Sequence, residues 1–203
     1  MFNAQVYAAR RKQLREKLSG GVVLLPGNEF ASMNYPANFY HFRQDSDFYY
    51  LTGFDEPDSV LVLVPGRRHG QFVLFCREKD KLREIWDGYR AGPEGATRDH
   101  GADDAFPIGD IDDILLGLIE GRDRVYYSMG RSAGFDQKVM GWVNDIRSRQ
   151  STGAVPPGEL TDLNHILDDM RLVKSAAELR QRVVRRTGRG SRYLGGLVQA
   201  AAR

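Results

Sequence analysis

The 203-residue sequence contains very little cysteine and no long apolar run. One cysteine, Cys76, excludes an internal disulfide and is typical of a reducing compartment. Because it follows apolar, strand-like residues, we expect a buried and inert thiol. No stretch approaches the roughly 18 apolar residues of a membrane span, and the charged, helix-patterned N-terminus lacks the apolar centre of a secretory signal. These absences predict a cytoplasmic protein that does not enter the membrane.

The sequence also lacks the common catalytic and metal-binding motifs. Four histidines are widely separated and form neither an H-E-x-x-H nor a His-x-His pair: His41, His69, His100 and His165. No serine lies in a G-x-S-x-G turn, and no glycine-rich segment matches a phosphate loop. On a strand, Asp45 and Asp47 would point to one side. A divalent ion could bind there, but pairing with Arg43 and loop amides is the favoured interpretation. No motif therefore indicates independent catalysis or a metal site.

Charge is divided unevenly along the chain, although the net charge is only +2. Residues 171–203 carry nine Arg or Lys and one Glu, a net charge of +8, whereas residues 1–170 carry 20 basic and 26 acidic groups, a net charge of −6. Basic tails can bind nucleic acid. No aromatic or RNA-binding motif accompanies this one, so a solvated or partner-facing helix is favoured over nucleic-acid binding.

Alternating helix and strand patterns predict an α/β fold with a mixed β-sheet flanked by helices on both faces. The predicted helices are residues 4–18, 110–118, 132–147 and 163–170. The predicted strands are residues 22–25, 47–52, 59–64, 71–77, 105–108 and 124–128. Residues 88–101, rich in glycine, proline and charge, predict a surface loop.

The C-terminal part of the sequence predicts a change of organisation. Ser175 and Glu178 form an S-x-x-E capping box, which predicts a new helix from Ala176. Residues 185–190 are poor helix formers, because each interior glycine costs about 1 kcal/mol relative to alanine, and we expect disorder from there onward. We therefore predict a domain of residues 1–174 followed by a basic tail of residues 175–203.

An irregular aromatic segment, FYHFRQDSDFYYLTGFDEP at residues 39–57, surrounds a doubly acidic centre. It resembles the signature of the N-terminal domain of Xaa-Pro aminopeptidases, the aminopeptidase P family with its creatinase/prolidase-type N-terminal domain. The similarity continues through the apolar strand at 21–27, the hairpin at 59–75, the R-E-I-W-D-G turn at 83–88 and M-R-L-V-K-S at 170–175. It covers roughly residues 5 to 180.

The resemblance implies a non-catalytic domain that contributes to oligomerisation and restricts access to the active site. In the family, two metal ions, usually manganese, are held by two Asp, one His and two Glu of a catalytic domain that this sequence does not contain. The resemblance thus implies no cofactor in this chain and two manganese ions in the full-length enzyme. The alternative is a free-standing interaction module with its own partner and no peptidase role.

Two residues inherit a substrate-binding role from the resemblance. Trp86 corresponds to a family tryptophan that crosses a subunit interface and lines the neighbour's substrate pocket, where an aromatic face can pack on a proline ring. Its alternative role is to cover the hydrophobic edge of its own domain. Arg149 corresponds to a family arginine near the same pocket, or else is a helix-end arginine that meets the helix dipole. The implied partners are further copies of the chain, as a dimer or tetramer, and a peptide substrate.

Overall fold

The computed structural model describes residues 4–35, 38–175 and 178–179. A six-stranded sheet with the strand order β4-β3-β2-β1-β5-β6 forms its centre. The strands are β1 (Val22–Pro26), β2 (Val60–Leu63), β3 (Phe72–Cys76), β4 (Asp104–Pro107), β5 (Arg124–Tyr126) and β6 (Glu159–Thr161). The pairs β1–β2 and β2–β3 are antiparallel, and the other three neighbouring pairs are parallel. The predicted α/β fold with a mixed sheet is confirmed.

The described residues also form seven α-helices. They are α1 (Ala4–Lys17), α2 (Ser46–Thr52), α3 (Lys81–Asp87), α4 (Gly92–His100), α5 (Ile111–Ile119), α6 (Ala133–Ser148) and α7 (Asn164–Leu172). Short 3₁₀ turns precede α5 at Ile108–Asp110 and follow α6 at Gln150–Thr152. Within the described residues, no helix is both long enough and apolar enough to cross a bilayer.

The hydrophobic core is centred on β1, β2 and β3, whose residues are all buried except the half-buried Pro26. Continuous burial of Val, Leu and Phe means that both faces of these strands are covered. Helices α5 and α6 pack against one face through Leu115, Val139 and Trp142. Cys76 is fully buried at the end of β3, and burial raises the pKa of its thiol to about 12. The expected buried thiol is confirmed.

Residues 47–52 form part of helix α2, so the prediction of a strand there is wrong. Asp45 caps the helix, since its Oδ1 accepts the backbone N–H groups of Asp47 and Phe48, each at 2.9 Å. Gly53 ends the helix in the left-handed conformation, with φ of 65°. These two capping signals outweigh the preference of the intervening aromatic residues for strands.

Residues 88–101 are not wholly a loop as predicted, because they contain helix α4. Pro93 lies in its first turn, where a missing N–H costs no hydrogen bond. Gly101 ends the helix with φ of 67° and donates its N–H to the carbonyl of Ala96. Strand β6 was not predicted, because three mostly exposed residues at a sheet edge have no apolar pattern. The other predicted elements agree with the structure to within a few residues.

The chain divides into two compact units, Met1–Leu167 and Asp168–Arg203. In the second unit the predicted capping box is confirmed, since the backbone N–H and hydroxyl of Ser175 both donate to Oε2 of Glu178, at 2.9 and 2.7 Å. The predicted disorder from residue 185 onward lies outside the described residues. The predicted domain boundary at residue 174 stays a prediction.

Candidate substrate-facing surface

Helix α3 is a short helix that is defined at both ends by polar contacts. Asp80 is the N-cap, and its Oδ1 accepts the N–H groups of Leu82 and Arg83 at 3.0 and 3.2 Å. Gly88 follows the last turn and donates its N–H to the carbonyl of Glu84. The R-E-I-W-D-G segment at residues 83–88, expected to be a turn, therefore belongs to a helix that is capped at both ends.

The apolar side chains of α3 and the residues after it point outward. Those with a large exposed fraction are Leu82 (77%), Ile85 (74%), Trp86 (87%) and Tyr89 (63%). Among the described side chains of this helix none is buried. The expectation that Trp86 lies outside the core is confirmed, and an exposure of 87% does not fit a residue that covers the edge of its own domain. We call these four residues the α3 stripe.

A second exposed aromatic segment, residues 30–35 and 38–42, borders the same cleft as α3, and we call it the aromatic loop. Its two arms meet at a β-bridge between Ser32 and Phe39. Phe30 packs against Phe39 and Phe42, with ring centroids 5.1 and 5.6 Å apart. Four large side chains of this loop are exposed to solvent: Met33, Tyr35, Phe39 and Tyr40.

The aromatic loop and α3 border an open cleft of about 750 Å³. Phe30, Phe39 and Trp86 supply its aromatic walls. Charged groups of both signs lie between them, including Arg77 and Asp58. The cleft therefore combines three aromatic walls with seven charged side chains, which makes it a mixed polar and apolar surface rather than an apolar pocket.

Beside this cleft, a buried ionic cluster connects three separate parts of the chain. Oε1 of Glu56 accepts the N–H of Ala91 at 2.7 Å, and its Oε2 lies 3.6 Å from an Nη atom of the buried Arg77. Burial raises the pKa of the Glu56 carboxyl, although the Ala91 N–H and Arg77 oppose the shift. Burial also raises the pKa of Asp58. Spacing along the sequence offered no signal for this cluster, because its members are far apart in the chain.

Arg149 is not among the described residues that line the cleft. It is the C-cap of α6, where its Nε donates to the carbonyl of Asp145 at 3.4 Å. An Nη atom lies 3.5 Å from a carboxylate oxygen of Glu120. These contacts agree with the alternative interpretation of Arg149 as an arginine at the end of a helix. Trp86, by contrast, lines the cleft.

The paired carboxylates of Asp45 and Asp47 have a different partner from the one predicted. Arg131, rather than Arg43, lies 3.0 Å from Oδ2 of Asp47 and 3.6 Å from Oδ2 of Asp45. The amides that bind Asp45 belong to the first turn of helix α2 rather than to a loop. In the part of the chain that the structure describes, no three His, Cys, Asp or Glu side chains form a group that could hold a metal ion.

Fold and surface together define an α/β domain that presents an aromatic cleft beside a buried sheet. The family model "Aminopeptidase P, N-terminal domain" matches residues 7–126. The chain belongs to this family, as the resemblance of residues 39–57 predicted.

Similar proteins agree with this assignment. The chain is 34% identical over 188 residues to the Xaa-Pro aminopeptidase of Escherichia coli K12, covering 92% of this chain and 42% of the relative. It is 31% identical to human Xaa-Pro aminopeptidase 3, over 69% of this chain and 28% of the relative. The chain thus matches the N-terminal part of Xaa-Pro aminopeptidases and spans less than half of their length.

Solved structures show the same relation. The Pseudomonas aeruginosa aminopeptidase PepP superposes with a TM-score of 0.86 at 53% identity, over 88% of this chain and 40% of that protein. The zinc-substituted E. coli aminopeptidase P in complex with product superposes with a TM-score of 0.83 at 31% identity, over 88% of this chain and 41% of that protein.

Proposed function

We propose that this chain acts as the non-catalytic part of a Xaa-Pro aminopeptidase, a metallopeptidase that removes the N-terminal residue before proline. Its role is to contribute to oligomerisation and to restrict access to the active site. The observation that carries the proposal is Trp86, an almost fully exposed tryptophan at the wall of a cleft. Its face is free to pack on the proline ring of a peptide in a neighbouring subunit's pocket.

We further propose that the α3 stripe and the aromatic loop form the surface that contacts a neighbouring copy, in a dimer or tetramer. An aromatic side chain has an area of about 150–250 Å². The exposed areas of five aromatic side chains on this surface therefore sum to about 600 Å², namely those of Tyr35, Phe39, Tyr40, Trp86 and Tyr89. A standard interface buries about 800 Å² on each partner. The aromatic residues alone therefore account for most of the area that a stable contact needs.

The reaction itself is assigned to residues outside this chain. One E. coli relative is described as zinc-substituted, and we propose two manganese ions as the native metals of the full-length enzyme. The described residues here do not fit such a centre, since they contain no group of three ligating side chains. The cytoplasm is the proposed compartment, although one plant relative is named as mitochondrial.

A chimera tests the proposal. Residues 1–174 would replace the corresponding N-terminal part of P. aeruginosa PepP, chosen because the two are 53% identical. We expect the chimera to hydrolyse a Xaa-Pro peptide, and Trp86→Ala in it to raise KM or lower kcat. The 203-residue chain alone should release no N-terminal residue, with or without manganese.

The matched control is Val155→Ala, which truncates an exposed apolar side chain that does not line the cleft. It should leave turnover unchanged. A chimera that folds but lacks activity would contradict the proposal and favour the free-standing interaction module. Unchanged kinetics in the Trp86→Ala chimera would remove the substrate-facing role of this residue.

A further inference from the structure

We propose that Glu56 is a positioning residue that fixes where α3 presents Trp86. This inference rests on the proposed function, because it concerns the placement of a residue that is proposed to face substrate. Glu56 lies 30 residues before Trp86 in the sequence and is not on α3. Its influence would pass through the backbone that follows the helix.

Packing does not hold α3 in place. None of its described side chains is buried, and its apolar residues point to solvent. A helix of seven residues is also too short to be stable by itself. The position of Trp86 therefore depends on polar contacts at the two ends of the helix.

At the C-terminal end, the chain becomes buried at Arg90 and Ala91, each only 6% exposed. Two carboxylates bind this segment. Oε1 of Glu84 accepts the N–H of Arg90 at 3.1 Å, and Oε1 of Glu56 accepts the N–H of Ala91 at 2.7 Å. Glu84 belongs to α3 and moves with it. Glu56 is therefore an acceptor that ties the helix end to a different part of the fold.

Glu56 can serve as a fixed point because its own backbone is held. Its carbonyl accepts Nε2 of Gln44 at 2.7 Å and the hydroxyl of Ser59 at 3.0 Å. Gln44 is buried, and its Oε1 in turn accepts the N–H of Asn28 at 2.7 Å. On the side chain, Arg77 lies 3.6 Å from Oε2. The contacts to its carbonyl hold the backbone of Glu56, and the ionic contact with Arg77 favours the orientation in which Oε1 faces Ala91.

The test uses the full chain labelled with 5-fluorotryptophan, which yields one ¹⁹F resonance for Trp86 and one for the buried Trp142. Glu56→Ala should shift, broaden or split the Trp86 resonance and leave that of Trp142 unchanged. Exchange of the Ala91 amide hydrogen should become about tenfold faster, because a hydrogen bond to a charged acceptor is lost. Trp86→Phe assigns the two resonances.

Two further variants separate positioning from general destabilisation. Glu56→Gln keeps an oxygen that can accept the Ala91 N–H, so the Trp86 resonance should stay near its wild-type position. Ala91→Pro removes the donor at a residue whose φ of −65° suits proline, and should repeat the effect of Glu56→Ala. Glu16→Ala, an exposed acid on α1, is the control and should change neither resonance.

Movement of both resonances together in these variants would overturn the proposal, because it would show a global role. An unchanged Trp86 resonance in Glu56→Ala and Ala91→Pro would overturn it as well. The ¹⁹F measurement is made on the 203-residue chain without a peptide and without a catalytic domain. It can therefore succeed even if Trp86→Ala leaves the kinetics of the chimera unchanged, which would reject the proposed function alone.

Discussion

The two tryptophans of this chain occupy opposite environments. Trp142 is 3% exposed, packs edge-on against Phe135 with ring centroids 5.6 Å apart, and donates its indole N–H to Asp112 at 2.9 Å. Trp86 is 87% exposed and lies on a helix in which no described side chain is buried. An apolar ring left in water costs free energy, so the contrast separates a residue that completes the fold from one that is available for a partner.

Replacing the buried tryptophan should have the largest effect on stability. Trp142→Ala removes a core ring and leaves the carboxylate of Asp112 without its indole donor. We expect a loss of about 3–5 kcal/mol and a fall in Tm of roughly 10 °C or more. Thermal unfolding followed by circular dichroism measures it. A fall of only one or two degrees would mean that α5 and α6 are not held together by this residue.

The contribution of Glu56 to the stability of the folded chain should depend on pH, whereas the contribution of the apolar core should not. Burial raises the pKa of Glu56 in the folded state, so the folded chain binds a proton that the unfolded chain releases. This contribution to stability therefore grows as the pH falls through the folded pKa, and it is complete below the unfolded pKa of about 4.3.

Wild type should accordingly gain stability relative to Glu56→Gln when the pH is lowered from 7 toward 4.3. Urea unfolding of both proteins at several pH values measures the difference, and all other titrating groups, including Asp58, are common to the two. A difference that stays constant with pH, or that grows in the opposite direction, would contradict the assigned shift.

The exposed tryptophan should have the smallest effect on stability. Trp86→Ala in the 203-residue chain should change the free energy of unfolding by about 0.5 kcal/mol or less, as is usual for surface substitutions. Its effect should appear instead in light scattering, where the mass of the concentrated wild type exceeds that of a monomer and the variant shifts toward it. A large drop in Tm would make Trp86 part of the core. A strictly monomeric wild type would contradict the proposed interface.

Sequence patterns were sufficient for the central strands and for the longer helices. Runs such as those of β1 to β3 are buried on both faces, so their apolar character is continuous and easily recognised. Helix α2 was mistaken for a strand because its aromatic residues obscured the capping roles of Asp45 and Gly53. Helix α4 was missed because glycine and proline suggested a loop.

The candidate site could be predicted only in part. Trp86 was found through a family resemblance, and the structure adds its exposure and its place on the cleft. The bond between Glu56 and Ala91 spans 35 residues, and no local pattern encodes such a contact. Likewise, the pairing of Asp47 with Arg131 depends on how distant loops meet in the folded chain.

The burial of Cys76 has a practical consequence for labelling chemistry. With a pKa of about 12, its thiol is ionised in only about one molecule in 10⁵ at pH 7, and its side chain is inaccessible to reagents. Toward maleimides the native chain therefore behaves as if it had no cysteine. A substitution such as Leu82→Cys would introduce one reactive thiol on the α3 stripe, where a fluorophore or a spin label could report on an approaching subunit without any change to the interior.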